Sequence, residues 1–116
     1  MSGPSFRERF SLDDRVTDRR RALVRRPGYV PVVVEAAQRG FERRYVKCLL
    51  HRDVRGQHLQ DLMRQKFGVT AEDAIFLVCG GAIVQHADTM RDLAARYVDS
   101  EDGFLYMGCM RENTFG

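Results

Sequence analysis

An apolar stripe with helical spacing, set between segments of strand-like composition, constrains the fold of this chain more than any other feature. The stripe consists of Leu59, Leu62, Met63 and Phe67. Residues at these intervals lie on one face of a helix, and Gly68 marks the end of that helix. Such a face must be buried, and a sheet also has one side to bury. The stripe therefore predicts a helix packed across one face of a sheet.

Two segments before this helix and two after it are predicted to be strands. They are rich in β-branched or apolar residues and are bounded by turn-forming residues. The segments are residues 31–35, 45–50, 74–79 and 104–107. A short loop at residues 38–40 suits a hairpin between the first two strands.

Two further helices complete the predicted order. A thin apolar stripe predicts a helix over residues 14–26, which must end at Pro27 because proline disfavours helix before it. A shorter helix over residues 90–97 follows, capped by Asp88 or Thr89. The order, one helix and then ββαβαβ, predicts an α+β fold, a ubiquitin-like β-grasp with a mixed sheet. The expected parts are an N-terminal helical extension, residues 1–26, and a ubiquitin-like domain, residues 27–116.

Length and composition bound the class of protein. With 116 residues, of which 44% are apolar, the chain is long enough for one core and too short for two domains. The longest apolar run, residues 74–79, is far below the roughly 20 residues that span a bilayer, and the N-terminus has no apolar signal region. Three cysteines without a C-x-x-C pair argue against disulfide frameworks and zinc sites. We therefore expect a protein of the reducing cytosol.

The net charge of +3 conceals an uneven distribution. Residues 1–66 hold 16 of the 19 basic residues and eight of the 16 acidic ones, whereas residues 67–116 hold three basic and eight acidic ones. Seventeen of the basic residues are arginine, which pairs bidentately with carboxylates and phosphates. A basic surface of this kind fits acidic peptides, anionic lipid or RNA. A solvated helix face is the ordinary explanation for the arginine run at residues 19–21.

The sequence contains no recognisable catalytic motif. His51, His58 and His86 have no metal-ligand spacing with the cysteines, and neither a phosphate-binding glycine loop nor a G-x-S-x-G motif occurs. Cys79 lies in an apolar strand, where a cysteine behaves as a small buried apolar residue. We expect no enzymatic activity, no metal and no cofactor.

The C-terminal runs 102–106 and 112–116 closely resemble those of the autophagy ubiquitin-like modifiers of the GABARAP type. The similarity continues upstream in order and covers nearly the whole chain, through residues 26–35, 47–50, 64 and 71–76. Four residues stand where the family commonly has an aromatic residue or proline: Cys48, His51, Leu59 and Cys109. The resemblance therefore implies a divergent member with the grasp fold.

The resemblance also implies that Gly116 is a site of lipid conjugation. In the family, the C-terminal glycine is activated as a thioester and joined to phosphatidylethanolamine on autophagic membranes. Glycine suits this chemistry because a residue without Cβ enters narrow active sites. The implied partners are activating and conjugating enzymes, a processing and deconjugating cysteine protease, cargo receptors and the phosphatidylethanolamine membrane. The implied location is the cytoplasm and, after lipidation, the autophagosome membrane; we expect a monomer in solution.

A second implied function is the capture of peptides with an aromatic residue, two variable positions and an aliphatic residue. The peptide adds to the edge of the second strand, and two pockets receive its side chains. By matching positions, the aromatic pocket involves Asp18, Ala22, Pro31, Val33, Lys47, Leu49 and Phe104. The aliphatic pocket involves Cys48, Leu50, His51, Val54, Leu59, Leu62 and Arg64. Lys47 and Arg64 would meet acidic residues of the peptide.

These residues also have simpler explanations. Four of them fit the core of any fold with this pattern: Val33, Leu49, Leu59 and Leu62. Lys47 is equally explained as a charge that discourages edge pairing, and Arg64 as a solvated helix residue.

Two other classes of protein stay open. A protein-conjugated modifier or a sulfur carrier would share the grasp fold and a terminal glycine, although sulfur carriers usually end in Gly-Gly and this chain ends in Phe-Gly. An RNA-binding domain would use the arginine-rich first half, but the sequence lacks the interleaved aromatic platform that base stacking needs.

Overall fold

The computed structural model describes residues 3–112, which form a sheet with helices on both sides. The elements are α1 (Phe6–Arg9), α2 (Leu12–Arg25), β1 (Tyr29–Ala36), β2 (Tyr45–His51), α3 (Gly56–Lys66), β3 (Ile75–Cys79), β4 (Ala82–Ile83), α4 (Met90–Tyr97) and β5 (Leu105–Arg111). From β1 to β5 this order confirms the predicted ββαβαβ arrangement, with β4 as a small addition.

The five strands form one mixed sheet in the order β2-β1-β5-β3-β4. β1 pairs antiparallel with β2, from Tyr29 opposite His51 to Glu35 opposite Tyr45, which confirms the predicted hairpin. β1 pairs parallel with β5, while β3 is antiparallel to both β5 and β4. The parallel pair in the centre requires a long crossover, which contains α3. The sheet order leaves β2 at one edge.

α3 lies across one face of the sheet, as its apolar stripe predicts. Leu59, Met63 and Phe67 are fully buried. They pack in one cluster with alternate residues of β1, among them Val32 and Val34. Successive side chains of a strand point to opposite faces, so the residues between these face the other side of the sheet.

That opposite face carries a smaller aromatic cluster beneath the N-terminal helices. Phe6 of α1 is 1% exposed and packs with Val33 and Phe104. The ring centroids of Phe6 and Phe104 are 5.2 Å apart in an edge-on arrangement, a geometry that adds to the energy of burial. Phe6 therefore fastens α1 to the sheet.

The N-terminal helices differ from the sequence prediction in two respects. α1 was not predicted, because four residues are too few for a periodic pattern. It is held by the burial of Phe6 and by a capping box, in which Ser5 and Glu8 bond each other's backbone N–H groups. α2 begins at Leu12 instead of residue 14, because the Ser11 side chain caps it.

Later boundaries are closer to the prediction. Thr89 rather than Asp88 caps α4, since its hydroxyl accepts the N–H of Asp92 at 3.2 Å. β5 extends to Arg111, beyond the predicted residue 107, because β3 pairs with it as far as that residue. The short β4 follows a turn at Gly80-Gly81 that the sequence marked only as the end of a strand.

Membrane spans and metal sites were searched over the described residues. Within residues 3–112, no helix combines the length and the apolar character needed to cross a bilayer. In the same range, no three His, Cys, Asp or Glu side chains gather as a metal ion would need. Cys79 is a buried free thiol, as predicted.

Candidate peptide-binding edge

β2 presents an open edge to solvent. Its one neighbour in the described sheet is β1. The outward N–H and C=O groups of an edge strand are available to an added strand, which makes β2 a template for an extended peptide.

The alternation of β2 divides its side chains between two faces. Tyr45, Lys47, Leu49 and His51 point toward the N-terminal helices, and Val46, Cys48 and Leu50 point toward α3. An added peptide strand would alternate in the same way. Successive peptide side chains would therefore meet two different environments.

An ion pair joins α2 to β2 on the first of these faces. Lys47 donates from Nζ to Asp18 Oδ2 at 2.7 Å, and the two side chains are 46% and 41% exposed. The pair spans the opening of the predicted aromatic pocket. Because an exposed pair of this kind contributes only about 0–1 kcal/mol, it can open for a ligand at little cost.

The remaining residues of the predicted aromatic pocket differ in accessibility. Pro31, Val33 and Phe104 are buried, with Val33 and Phe104 in the cluster beneath Phe6. Ala22 and Leu49 are half-buried. Three members of this set are thus buried and four, Asp18, Ala22, Lys47 and Leu49, are half-exposed; that they form one pocket stays a prediction.

A buried carboxylate holds the N-terminal helices to the start of β5. The side chain of Asp102 has no exposed surface, and its Oδ2 accepts from Arg15 Nε at 2.8 Å. Its Oδ1 accepts the backbone N–H of Phe104 at 2.9 Å, and Oδ2 also accepts the hydroxyl of Tyr106. Burial and this bond to Asp102 raise the pKa of Tyr106. Arg15 itself donates to the Phe10 carbonyl at 2.6 Å, so one network positions both the helices and Phe104.

Sequence reasoning missed this network. Asp102 was noted only as part of a C-terminal motif, and Arg15 and Tyr106 were given no positioning role. Asp102-Gly103 has the composition of a turn, and the sequence carries no signal that this carboxylate is buried. Its partner Arg15 is 87 residues away in the chain.

The second face of β2 forms a half-buried apolar surface beside α3. Cys48, Leu50, Val54 and Leu62 are partly buried and pack against the main core. Leu59 lies in that core without exposed surface, so it contributes to the floor of this side and not to its wall. Burial raises the pKa of the Cys48 thiol to about 11, which keeps it protonated and makes it an apolar contact for a ligand.

His51 is not placed with the aliphatic set. Strand alternation directs it to the face of Lys47, and its ring lies edge-on to Tyr29, with centroids 5.3 Å apart at 89°. Its Nδ1 accepts the backbone N–H of Asp53 at 3.1 Å. His51 is one position from Leu50 and three from Cys48, so it faces the other side of the strand. This orientation disfavours its assignment to the aliphatic pocket, which stays a prediction.

Arg64 also lies apart from Lys47. Its Nη1 donates to the carbonyl of Thr70 at 3.1 Å and to that of Asp73, in the loop between α3 and β3. Arg64 thus braces a loop, whereas Lys47 pairs with α2. The expectation that both meet acidic residues of one peptide stays a prediction.

The predicted conjugation site, Gly116, lies outside the described residues. The described chain ends just beyond β5, where the N–H of Glu112 donates to the carbonyl of Ala74 at 2.8 Å. The described chain therefore ends at the edge of the sheet where β3 begins.

The structure has a mixed sheet packed around one helix, a pair of helices before it and an open edge strand. These features define a ubiquitin-like protein. A family model described as "Autophagy protein Atg8 ubiquitin like" matches residues 14–116. The chain belongs to the Atg8 family of ubiquitin-like autophagy proteins, which confirms the resemblance seen in its motifs.

Similar proteins match nearly the whole chain at low identity. The chain is 32% identical over 117 residues to autophagy-related protein 8 of Dictyostelium discoideum, covering 97% of this chain and 93% of that protein. The crystal structure of Trypanosoma brucei ATG8 superposes with a TM-score of 0.82 at 24% identity, covering 99% of this chain and 100% of that one. Plasmodium falciparum Atg8, solved in complex with a Plasmodium falciparum Atg3 peptide, has a TM-score of 0.78 at 25% identity over 93% of this chain and 96% of that one. These identities fit a divergent member.

Proposed function

We propose that this protein is a lipid-conjugated autophagy modifier that captures short peptides along β2. The open edge of β2, with its side chains divided between a basic, aromatic-floored face and an aliphatic face, is the observation that carries the proposal. Membership of the Atg8 family supports the conjugation. The protein itself binds and is attached, and its partners perform the chemistry.

Conjugation would proceed at the carboxyl group of Gly116. ATP converts the carboxyl to an acyl adenylate with release of pyrophosphate, and an enzyme thiol displaces AMP to form a thioester. The amine of phosphatidylethanolamine then displaces that thiol to form an amide. A diacyl lipid contributes about 0.8 kcal/mol for each CH₂ group buried, so two chains anchor the protein far more firmly than a single myristoyl group. The cytoplasmic protein would thereby move to the autophagosome membrane.

Intact-mass analysis tests the conjugation. The protein is incubated with the activating and conjugating enzymes, ATP and liposomes that contain phosphatidylethanolamine. We expect a lipid adduct on the full chain and none after deletion of Gly116, with unchanged circular dichroism. Gly116→Ala keeps the chain length, and we expect it to form much less adduct. An adduct on the deletion variant would contradict the proposal.

Peptide capture would use both faces of β2. The aromatic residue of the motif enters between α2 and β2 once the Asp18–Lys47 pair opens. Acidic residues of the peptide then replace Asp18 as the ion-pair partner of Lys47. The aliphatic residue, on the alternate face, packs on Cys48, Leu50 and Leu62. Main-chain pairing supplies affinity and the two side chains supply selectivity.

Calorimetry with an aromatic-x-x-aliphatic peptide that has acidic residues upstream tests the capture. We expect micromolar affinity that weakens with salt, as screened charges do. Lys47→Glu should weaken binding by more than about 0.5 kcal/mol, the usual limit for a surface change. Arg39→Glu makes the same charge change in the exposed loop before β2 and should have little effect. Equal losses of affinity in the two variants would contradict the proposed binding site.

The proposed partners follow from these two activities. Plasmodium falciparum Atg8 is known in complex with an Atg3 peptide, and we propose that this chain likewise binds its conjugating enzyme. The activating enzyme, a deconjugating cysteine protease and cargo receptors with aromatic-x-x-aliphatic motifs complete the proposed set.

A further inference from the structure

A groove of about 400 Å³ lies at the end of the sheet where β1 and β5 begin. α2 forms one wall, α4 forms the other, and the start of β1 lies between them. Its apolar surface comes from Leu23, Pro31, Ala95 and Val98. Val98 is 41% exposed. Pro31 is shared with the residues assigned to the β2 edge, and the other three are not. We call this feature the sheet-end groove.

Three arginines surround the sheet-end groove. Arg19 comes from α2, Arg52 follows β2, and Arg91 comes from α4. Arg19 and Arg52 form no ion pair with any residue of the range 3–112. Arg91 donates from Nη2 to Asp53 at 2.6 Å, which uses one of its five N–H donors. The groove therefore combines an apolar floor with two arginines, Arg19 and Arg52, whose charge no described acid balances, and a third, Arg91, that is paired with Asp53.

The Arg19 side chain lies close to Gly103, just before β5. Gly103 has a φ of +79°, which favours glycine, and a Cβ there would lie 2.6 Å from Arg19 Nε, so the arginine side chain would have to move. The Nε atom is buried and has no hydrogen-bond acceptor among the described residues. A buried donor without an acceptor is costly, and an acceptor supplied by a ligand would relieve that cost.

We propose that the sheet-end groove binds a short acidic peptide segment of a partner protein, in which one bulky aliphatic side chain is flanked by carboxylates. The volume accommodates one large side chain on the apolar floor. The three guanidinium groups come from three different elements and so surround that side chain, where each can pair with a separate carboxylate.

A peptide fits this site better than a membrane lipid does. β5 is seven residues long, so the groove and Glu112 are about 20 Å apart along the strand. With a lipid joined beyond Glu112, as proposed, the groove lies at the other end of β5 from the point where the described chain ends. This step rests on the proposed lipid conjugation, while the charge and shape of the groove do not.

The sheet-end groove and the β2 edge are separate. Asp18 and Ala22 of α2 belong to the edge, whereas Arg19 and Leu23, one position further along the helix, line the groove. Pro31 is the one residue assigned to both. An acidic segment without an aromatic residue would select the groove alone.

NMR titration of the full chain with the peptide acetyl-Glu-Asp-Leu-Asp-Glu-amide tests the proposal. We expect chemical-shift changes at Ala95, Val98 and Gly103 and none at Leu49. The double variant Arg19→Glu/Arg52→Glu should bind at least about tenfold more weakly. Arg20→Glu/Arg21→Glu changes the net charge of the chain by the same amount but lies outside the groove, and it should bind as the unmodified chain does. A peptide with Gly in place of Leu should also bind about tenfold more weakly, because the burial of a leucine is lost.

A second variant and a lipid probe complete the test. Ala95→Phe fills the groove from an exposed position, and it should abolish binding even if the double variant proves unstable. No shifts at the groove up to millimolar peptide, or shifts at β2 instead, would overturn the proposal. The proposal would also be overturned if the protein bound phosphatidylserine vesicles through Arg19 and Arg52 but did not bind the peptide. The aromatic-x-x-aliphatic peptide, titrated in the same samples, reports separately on the function proposed for β2.

Discussion

The β2 edge and the sheet-end groove lie on two sides of the same helix, yet they are organised differently. At the edge, Asp18 of α2 reaches Lys47 and neutralises it. At the groove, the next residue of α2, Arg19, meets no acid among the described residues. The edge therefore offers main-chain pairing and apolar surface behind a weak ion pair, whereas the groove offers positive charge around a small apolar floor. One helix can serve two sites because neighbouring residues differ by about 100° in direction.

The largest expected effect concerns the attachment of α2, the wall that both sites share. Asp102→Ala leaves Arg15 buried without its carboxylate, and breaking a buried pair in this way costs about 3 kcal/mol or more. We expect urea unfolding, followed by circular dichroism, to show this loss together with weaker binding at both sites. Asp53→Ala removes an exposed ion pair and should cost less than about 1 kcal/mol. Equal stability of the two variants would show that the network does not hold α2.

The next effect sharpens the description of the aliphatic face of the edge. With its pKa at about 11, the Cys48 thiol forms little thiolate near pH 8. We expect iodoacetamide to modify it roughly a hundredfold more slowly in the folded chain than in urea, since two pKa units correspond to that factor. The rate should rise with pH until the pH passes about 11. Mass spectrometry of the proteolytic fragment that contains Cys48 measures the rate of modification. A bound motif peptide should lower this rate further. Similar rates with and without urea would contradict the burial of Cys48.

A smaller effect separates the two sites by charge. Asp18→Ala frees Lys47, so an acidic motif peptide should bind β2 a few-fold more tightly, corresponding to about 0.5 kcal/mol. High salt should reduce the gain. The acidic probe of the sheet-end groove should be unaffected. Asp13→Ala, on the same helix, is the control, and calorimetry that finds the same change in both variants would indicate a general charge effect.

The smallest effect is expected at His51. Because its side chain lies against Tyr29 on the face opposite Cys48, His51→Ala should change the order of preference among Leu, Ile and Val at the aliphatic position by less than about twofold. Leu50→Ala, on the aliphatic face, should weaken all three. Calorimetry with a peptide series measures the order of preference among Leu, Ile and Val. A changed order in the His51 variant would show that His51 contacts the aliphatic residue of the peptide.

Several elements were predictable because their signals are local. The stripe from Leu59 to Phe67 needed only helical spacing to predict α3, and the composition of residues 31–35 and 45–50 predicted the hairpin. α1 is too short for an apolar stripe. Its capping box, Ser5 and Glu8, is a local pattern, but the burial of Phe6 that holds the helix depends on a distant strand.

For the candidate site, the sequence by itself indicated the family through its motifs, and it predicted an edge strand with two sets of side chains for an added peptide. Only the tertiary structure decided that Lys47 pairs with Asp18, that Asp102 is buried beside Arg15, and that the His51 ring lies against Tyr29. The Arg19–Gly103 contact that shapes the sheet-end groove belongs to the same category. The physical reason is that periodicity and composition act between residues a few positions apart. The Lys47–Asp18 and Asp102–Arg15 contacts join residues 29 and 87 positions apart, and they exist only because α2 packs across the sheet in one particular orientation.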